Sequence, residues 1–307
     1  MLLIIQAIIP IVLVSAMGYF LAKRKFVSKD FWQGAEKLAY FVLLPSLFFR
    51  LTFVLDLSGE NIFIAPLILF LSILVITFLL LLLKSQISRT NPCFTSMFQG
   101  SIRFNSYILI SIALVLYGPE VTGLIAILVA LLVPIINLFC VYILTYFGTA
   151  NLNITNIAKR IATNPLVLPC VLGVLLNIVG VKMPLPVDQA LDIMGKAALP
   201  LGLLCVGAAI DLKSLKDVKS ELVVASFFKL ILFPILTLIF GTAFMLGSAQ
   251  LSVLILFSSI PAASASYILA KQYGGNASLM ANIIMVQTIA SIFTIPLMLI
   301  IARLVIS

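Results

Sequence analysis

Long stretches of this chain run for 21 residues or more without a charged side chain, among them Leu2 to Ala22, Asn61 to Leu83, Val121 to Ile157, Leu230 to Ala270 and Gln272 to Ala302. A helix needs about 20 apolar residues to cross the hydrocarbon core of a bilayer. Each run is long enough for one crossing, and the longer ones hold two crossings or one crossing with its loops. Only 9% of the 307 residues are charged, against roughly 25% in a globular chain. The polar material needed to cover a water-exposed surface is missing, and the pattern describes an all-α integral membrane protein.

The basic cluster Lys23, Arg24, Lys25 follows the first run. A cleaved secretory signal has its charges before the apolar stretch, so the run reads as a retained first span. Cys93, Cys140, Cys170 and Cys205 are scattered in or beside apolar segments without metal-ligand spacing; they read as buried free thiols. A formal net charge of +9 invites a nucleic-acid reading. The cations, however, sit in short loops between apolar runs, where topology signals belong. No nucleic acid, metal or cofactor is expected.

The expected spans are 3–22, 36–54, 61–83, 94–117, 121–146, 163–180, 188–210, 220–243, 251–272 and 279–303. Loops after odd-numbered spans carry Lys23, Arg24, Lys25, Lys29, Lys84, Arg89, Lys159, Arg160, Lys213, Lys216, Lys219 and Lys271, whereas the even-numbered loops carry only Lys182. The bias turns the odd loops to the cytoplasm, and ten spans then leave both termini outside.

The two halves of the chain resemble each other. Leu44-Pro45-Ser46 aligns with Leu199-Pro200-Leu201, and Leu55-Asp56-Leu57 with Ile210-Asp211-Leu212, both at an offset of 155. Ser101-Ile102-Arg103 matches Ser259-Ile260-Pro261, and Tyr117-Gly118 matches Tyr273-Gly274, at offsets of 158 and 156. Residues 1–150 and 151–307 thus read as two five-helix repeats. An odd number of spans per repeat inverts the second half, an arrangement common among secondary transporters.

The fourth and ninth spans each carry an interruption. Ser101-Ile102-Arg103-Phe104-Asn105-Ser106-Tyr107 lies about nine residues past the start of its span, roughly 14 Å deep at 1.5 Å per residue. Ser258-Ser259-Ile260-Pro261-Ala262-Ala263-Ser264 lies at a similar depth, and Pro261 removes a backbone donor. Backbone groups freed by a break are tolerated only against protein or a watery cavity. Paired breaks at corresponding places in a repeat point to a transport site.

A cation at the membrane centre costs at least ~2.5–3.5 kcal/mol on insertion scales, which makes Arg103 the first candidate site residue. Asp30, Asp56, Glu60, Glu120, Asp188, Asp211, Asp217 and Glu221 fall in or beside loops, so no carboxylate is expected at its depth. An anionic substrate would fit the guanidinium fork; the alternative is that Arg103 bonds carbonyls freed by the breaks. Lys229, about nine residues into its span, either helps bind an anion or reaches toward the cytoplasm. Lys196 and Asp192 have the spacing of an ion pair. Arg50 lies near enough to the end of its span to reach water, and no role is given to it. Asn137, Asn282 and Gln287 either line a cavity or hydrogen-bond between helices. The scarcity of deep acids disfavours a cation exchanger. The absence of histidine, of an acid pair and of Gly-x-Ser-x-Gly speaks against an intramembrane enzyme.

Several stretches together resemble the auxin efflux carrier family, which includes plant PIN auxin transporters and many bacterial permeases. They are Ala7-Ile8-Ile9-Pro10, Leu44-Pro45-Ser46-Leu47-Phe48-Phe49, Asn164-Pro165, Lys229 five residues before Pro234, and Ser259-Ile260-Pro261 running on to Ile268-Leu269-Ala270-Lys271-Gln272-Tyr273. The resemblance covers residues 4–303. It implies ten spans in a 5+5 inverted repeat, with the broken helices 4 and 9 crossing inside a mobile transport domain. That domain would comprise about 61–146 and 220–303, against a scaffold of about 3–54 and 163–210 that also makes a homodimer. It implies elevator-type movement, small organic anions as substrates, and Arg103, Asn105 and Pro261 at the crossover. Plant members carry Pro-Asn where this chain has Arg103-Phe104-Asn105, which points from auxin to a more polar carboxylate. They also place an acid and a lysine in the third span; Asn61 to Leu83 holds no acid, so that feature does not carry over. The short loop 147–162 favours a bacterial permease of the inner membrane.

The resulting expectation is a secondary transporter of small organic anions. Arg103 would hold a carboxylate, Asn105 would orient it, and Ser106, Pro261, Ala262 and Ser264 would line the site with freed amides. Lys229 would add positive potential. A ligand-sensing receptor on the same fold and a channel-like anion conductor are the alternatives.

Overall fold

A computed structural model of the chain describes residues 2–54, 63–88, 90–118, 121–148, 163, 165, 167–209 and 220–306. Asp56 and Asp211 of the repeat comparison, Glu60, Arg89, Glu120, Lys159, Arg160, Asn164, Lys213, Lys216, Asp217 and Lys219 lie outside the described residues. Among those described the regular structure is entirely helical.

Helix α1 (Leu2–Lys23) is followed by α2 (Lys29–Leu38), a π-turn at Ala39–Leu43 and α3 (Leu44–Phe53). Ser28 caps α2 by accepting from the Phe31 N–H at 3.1 Å. Pro45 sits at the start of α3 and has no N–H to give; the helix widens by one residue before it, and the Leu44 N–H reaches back to the Ala39 carbonyl. The same device recurs later, where the π-turn Phe228–Leu232 separates α11 (Ser220–Phe227) from α12 (Phe233–Ala243), with Pro234 just beyond it.

Between these lie α4 (Ile64–Leu82), the short α5 (Lys84–Ile87), α6 (Asn91–Ile102), α7 (Ser106–Tyr117), α8 (Thr122–Tyr146), α9 (Val167–Ile178) and α10 (Leu185–Ala209). The chain closes with α13 (Ser248–Ser259), α14 (Ala265–Tyr273) and α15 (Ala277–Ile306). By length and composition, helices at Ile64–Leu82, Leu185–Ala208, Ser220–Ala243 and Ala277–Val305 suffice to cross a membrane.

α6 and α13 are both 12 residues long, and each gives way to non-helical backbone, at 103–105 and 260–264. The helix that follows ends in a tyrosine and then a glycine at φ +75°, Gly118 after α7 and Gly274 after α14. A left-handed residue there turns the chain out of the helix without a Cβ clash.

Packing sorts the helices into two groups. α1 lies along α10, and α3 lies against α9 and α10. A Cβ on Gly207 would collide with the Ser15 backbone oxygen, so the α1–α10 contact is at backbone distance. Arg50 joins α3 to α10: its Nε and Nη2 donate to Asp188 at 2.6 and 3.1 Å, and its Nη1 donates to Asp192 at 2.9 Å. Asp192 also pairs with Lys196, as its spacing requires. Arg50 thus has a defined role that its nearness to the helix end concealed. The second group packs α4, α6, α12, α13 and α15 together around a core that includes Ile68, Phe94, Phe98, Phe233 and Phe257.

Candidate functional site

The non-helical segments 103–105 and 260–264 meet directly. The Asn105 N–H donates to the Pro261 carbonyl at 2.9 Å. Gln287 on α15 holds both segments: its Nε2 donates to the Gly100 carbonyl and its Oε1 accepts from the Ala262 N–H, each at 2.9 Å. One side-chain amide therefore satisfies a carbonyl near the end of α6 and an N–H released beyond α13. Of the two roles open to Gln287, the structure gives it hydrogen bonding to backbone. Asn105 Oδ1 accepts from the Ile108 N–H at 3.3 Å and so caps α7.

Arg103 adopts extended backbone at φ −73°, ψ 153° and is 4% exposed. Its guanidinium interacts with the Cys140 thiol, yet Nε and Nη1 are buried without a hydrogen-bond partner. It borders a cavity of about 40 Å3 that Phe104, Asn105 and Ser106 share with Ala263, Ser264 and Ala265. Leu44, Leu47 and Phe48 of α3 close one wall, and Asn137 of α8 another. Asn137 is buried, and its Nδ2 is also without a partner. Among the described residues no carboxylate lines this cavity. The unmet groups are donors, the complement of an anion.

Of the residues expected to form a site, Arg103, Asn105, Ser106 and Ser264 border this cavity, while Pro261 and Ala262 make the backbone contacts beside it. Lys229 does not line it. It lies fully buried in the π-turn of α11–α12, its Nζ 4.4 Å from the centre of the Phe233 ring and without a hydrogen-bond partner. Asn137 is brought to the cavity by an apolar helix whose sequence offered no reason to rank it.

The sequence reading also passed over Glu36. It is 5% exposed in α2, accepts from the Tyr267 hydroxyl at 2.7 Å and pairs with Lys271 at 3.6 Å. Its sequence signal was a lone acid at the head of an apolar run, near enough to a basic loop to pass for loop material.

Residues 151–299 match the family model described as membrane transport protein. Across 97% of both chains the protein is 25% identical to a protein of Escherichia coli strain K12 named "Uncharacterized transporter YfdV". The chain is thus similar to membrane transport proteins over its second half by family and over nearly its whole length by relative. A counterpart of that relative in Shigella flexneri gives the same figures. The chain is also 29% identical over 143 residues, 45% of its own length and 44% of the other's, to a Rhizobium meliloti strain 1021 protein named "Putative malonate transporter". The family and these relatives are transporters rather than enzymes, as the missing catalytic groups had implied. The similarity to membrane transport proteins and the long apolar helices agree with an integral membrane protein.

Proposed function

We propose that this protein is a secondary transporter of small organic anions, carboxylates above all, working by elevator-type alternating access. The observation that carries the reading is Arg103: a guanidinium 4% exposed, with Nε and Nη1 unpartnered, beside a cavity that no carboxylate lines among the described residues. An unpaired buried charge is expensive, and a substrate carboxylate would satisfy the fork with two parallel bonds. The malonate transport named for one relative supports the same class of cargo. Asn105, Ser106, Pro261, Ala262 and Ser264 form the rest of the site, and Lys229 contributes positive potential from a distance.

At about 40 Å3 the cavity has room for water but not for a dicarboxylate. Loading therefore requires the walls to part. The two packing groups supply the parts that would move: α1, α3, α9 and α10 as a scaffold, and the bundle of α4, α6, α12, α13 and α15 as the carriage. The scaffold is also the surface for a homodimer. Ten spans in an inverted 5+5 repeat, with spans four and nine broken at their centres, account for the matched 12-residue half-helices. The protein would sit in a bacterial inner membrane with both termini outside.

Uptake of labelled malonate, succinate and acetate into proteoliposomes tests the proposal. Saturable uptake in the parent should fall at least about 100-fold in Arg103→Ala, the scale of a lost charge-assisted pair. Equal uptake by the two proteins would make Arg103 structural.

A further inference from the structure

A second, larger cavity of about 560 Å3 lies at the face of the odd-numbered loops, lined by Lys25, Lys29, Trp32, Glu36, Tyr267 and Lys271. It shares a seam with the crossover cavity. On one side of the seam the chain descends by single helical turns from Trp32 through Glu36 and Tyr40 to Leu44, the last of which lines the crossover cavity. On the other side α14 descends from Lys271 through Tyr267 to Ala265, which again lines the crossover cavity. Glu36 and Tyr267 meet at the wall of the larger cavity, within about two turns along the chain of Leu44 and Ala265, which line the crossover cavity. Their hydrogen bond of 2.7 Å is buried, and Tyr267 is only 3% exposed.

We propose that Glu36 and Tyr267 form a gate that closes the crossover site to the face of the odd-numbered loops, with Lys271 holding the gate's carboxylate in place. Three features carry the assignment. The contact joins the first half of the chain to the second, 231 residues apart, and ties α2, which packs on α10, to α14, which packs on α6 and α15. Buried apolar residues flank it on both sides, Ala39 and Leu43 on one and Ile268 on the other, so water is kept from the bond. The Lys271 ammonium stands 3.6 Å from Glu36 and is 43% exposed, so it faces the vestibule and restrains the carboxylate without burying itself. A hydrogen bond to a charged group is stable yet can be exchanged for water, which suits a contact that must open and re-form each cycle. The gate rests on the transporter reading but not on the identity of the cargo.

The test is sided thiol labelling at the crossover. Ser264→Cys, in a chain whose four native cysteines are replaced by alanine, is exposed to a membrane-impermeant anionic methanethiosulfonate in right-side-out and in inside-out vesicles. Tyr267→Phe, which removes only the gate hydroxyl, should raise the labelling rate about tenfold or more, and from the face of the odd-numbered loops alone. Glu36→Gln should accelerate labelling from the same face by a smaller factor, and exchanging the charges in Glu36→Lys with Lys271→Glu should bring the rate back toward the parent's. Unchanged rates in both single variants, or equal acceleration from both faces, would overturn the gate and leave Glu36 a fixed structural tie. Because labelling needs no transported substrate, a protein that moves none of the tested carboxylates can still pass or fail this test.

Discussion

Arg103 is costly to the fold, and the proposed function makes use of that cost. Two of its donors are unmatched, its guanidinium meets the Cys140 thiol, and among the described residues no carboxylate lines the cavity beside it. Replacing it with methionine should therefore raise thermal stability in detergent, by about 1–3 kcal/mol, while abolishing uptake. A drop in melting temperature would mean that bonds to the guanidinium outweigh its burial. Asn137→Ala should leave stability nearly unchanged and raise KM for a dicarboxylate several-fold, since its Nδ2 has no partner to lose; an unchanged KM would remove Asn137 from the site. The sequence made Arg103 conspicuous because a lone charge deep in an apolar run has few explanations. Arg50 was harder to read. Its partners Asp188 and Asp192 lie 138 and 142 residues away, and no local spacing announces a pairing at that range.

At the scale of the element, the decisive features are the places where helices stop. The polar run 101–107 and Pro261 marked both positions in advance, because side-chain amides, hydroxyls and a missing N–H compete with helical hydrogen bonding. What holds the loose ends was not legible: Gln287 is one polar residue in the 30-residue α15, and only the packing of three helices brings it to Gly100 and Ala262. Gln287→Leu leaves a carbonyl and an N–H unsatisfied and should cost about 2–4 kcal/mol, read as a fall in melting temperature together with lost uptake. Retained stability would show that the backbone finds other partners. The π-turns before Pro45 and Pro234 follow from the same rule about proline, although the sequence did not say whether each would kink, break or widen its helix. At the α1–α10 contact, Gly207→Ala places a methyl group against the Ser15 backbone oxygen. It should destabilise by about 1–3 kcal/mol, and an unaffected variant would mean that the two helices separate easily.

For the whole molecule, the two packing groups make a prediction about motion. Cysteine pairs bridged by a short bifunctional reagent between α1 and α10 should leave uptake intact, because both helices belong to the proposed scaffold. Pairs between α1 and α15, which face each other across a cleft of about 260 Å3 at Ala16 and Ile289, should arrest it. Arrest by both bridges, or by neither, would contradict a rigid scaffold and a moving carriage. The Gln287 clamp has a further consequence for how such a chain is made. The ribosome delivers α6 long before α15, so the Gly100 carbonyl is made well ahead of the side chain that satisfies it. The first half is thus obliged to wait, unfinished, for a residue 187 positions downstream of Gly100. A nascent chain truncated before 287 would carry its defect in the middle of the membrane, where quality-control proteases that survey exposed intramembrane polarity would meet it first.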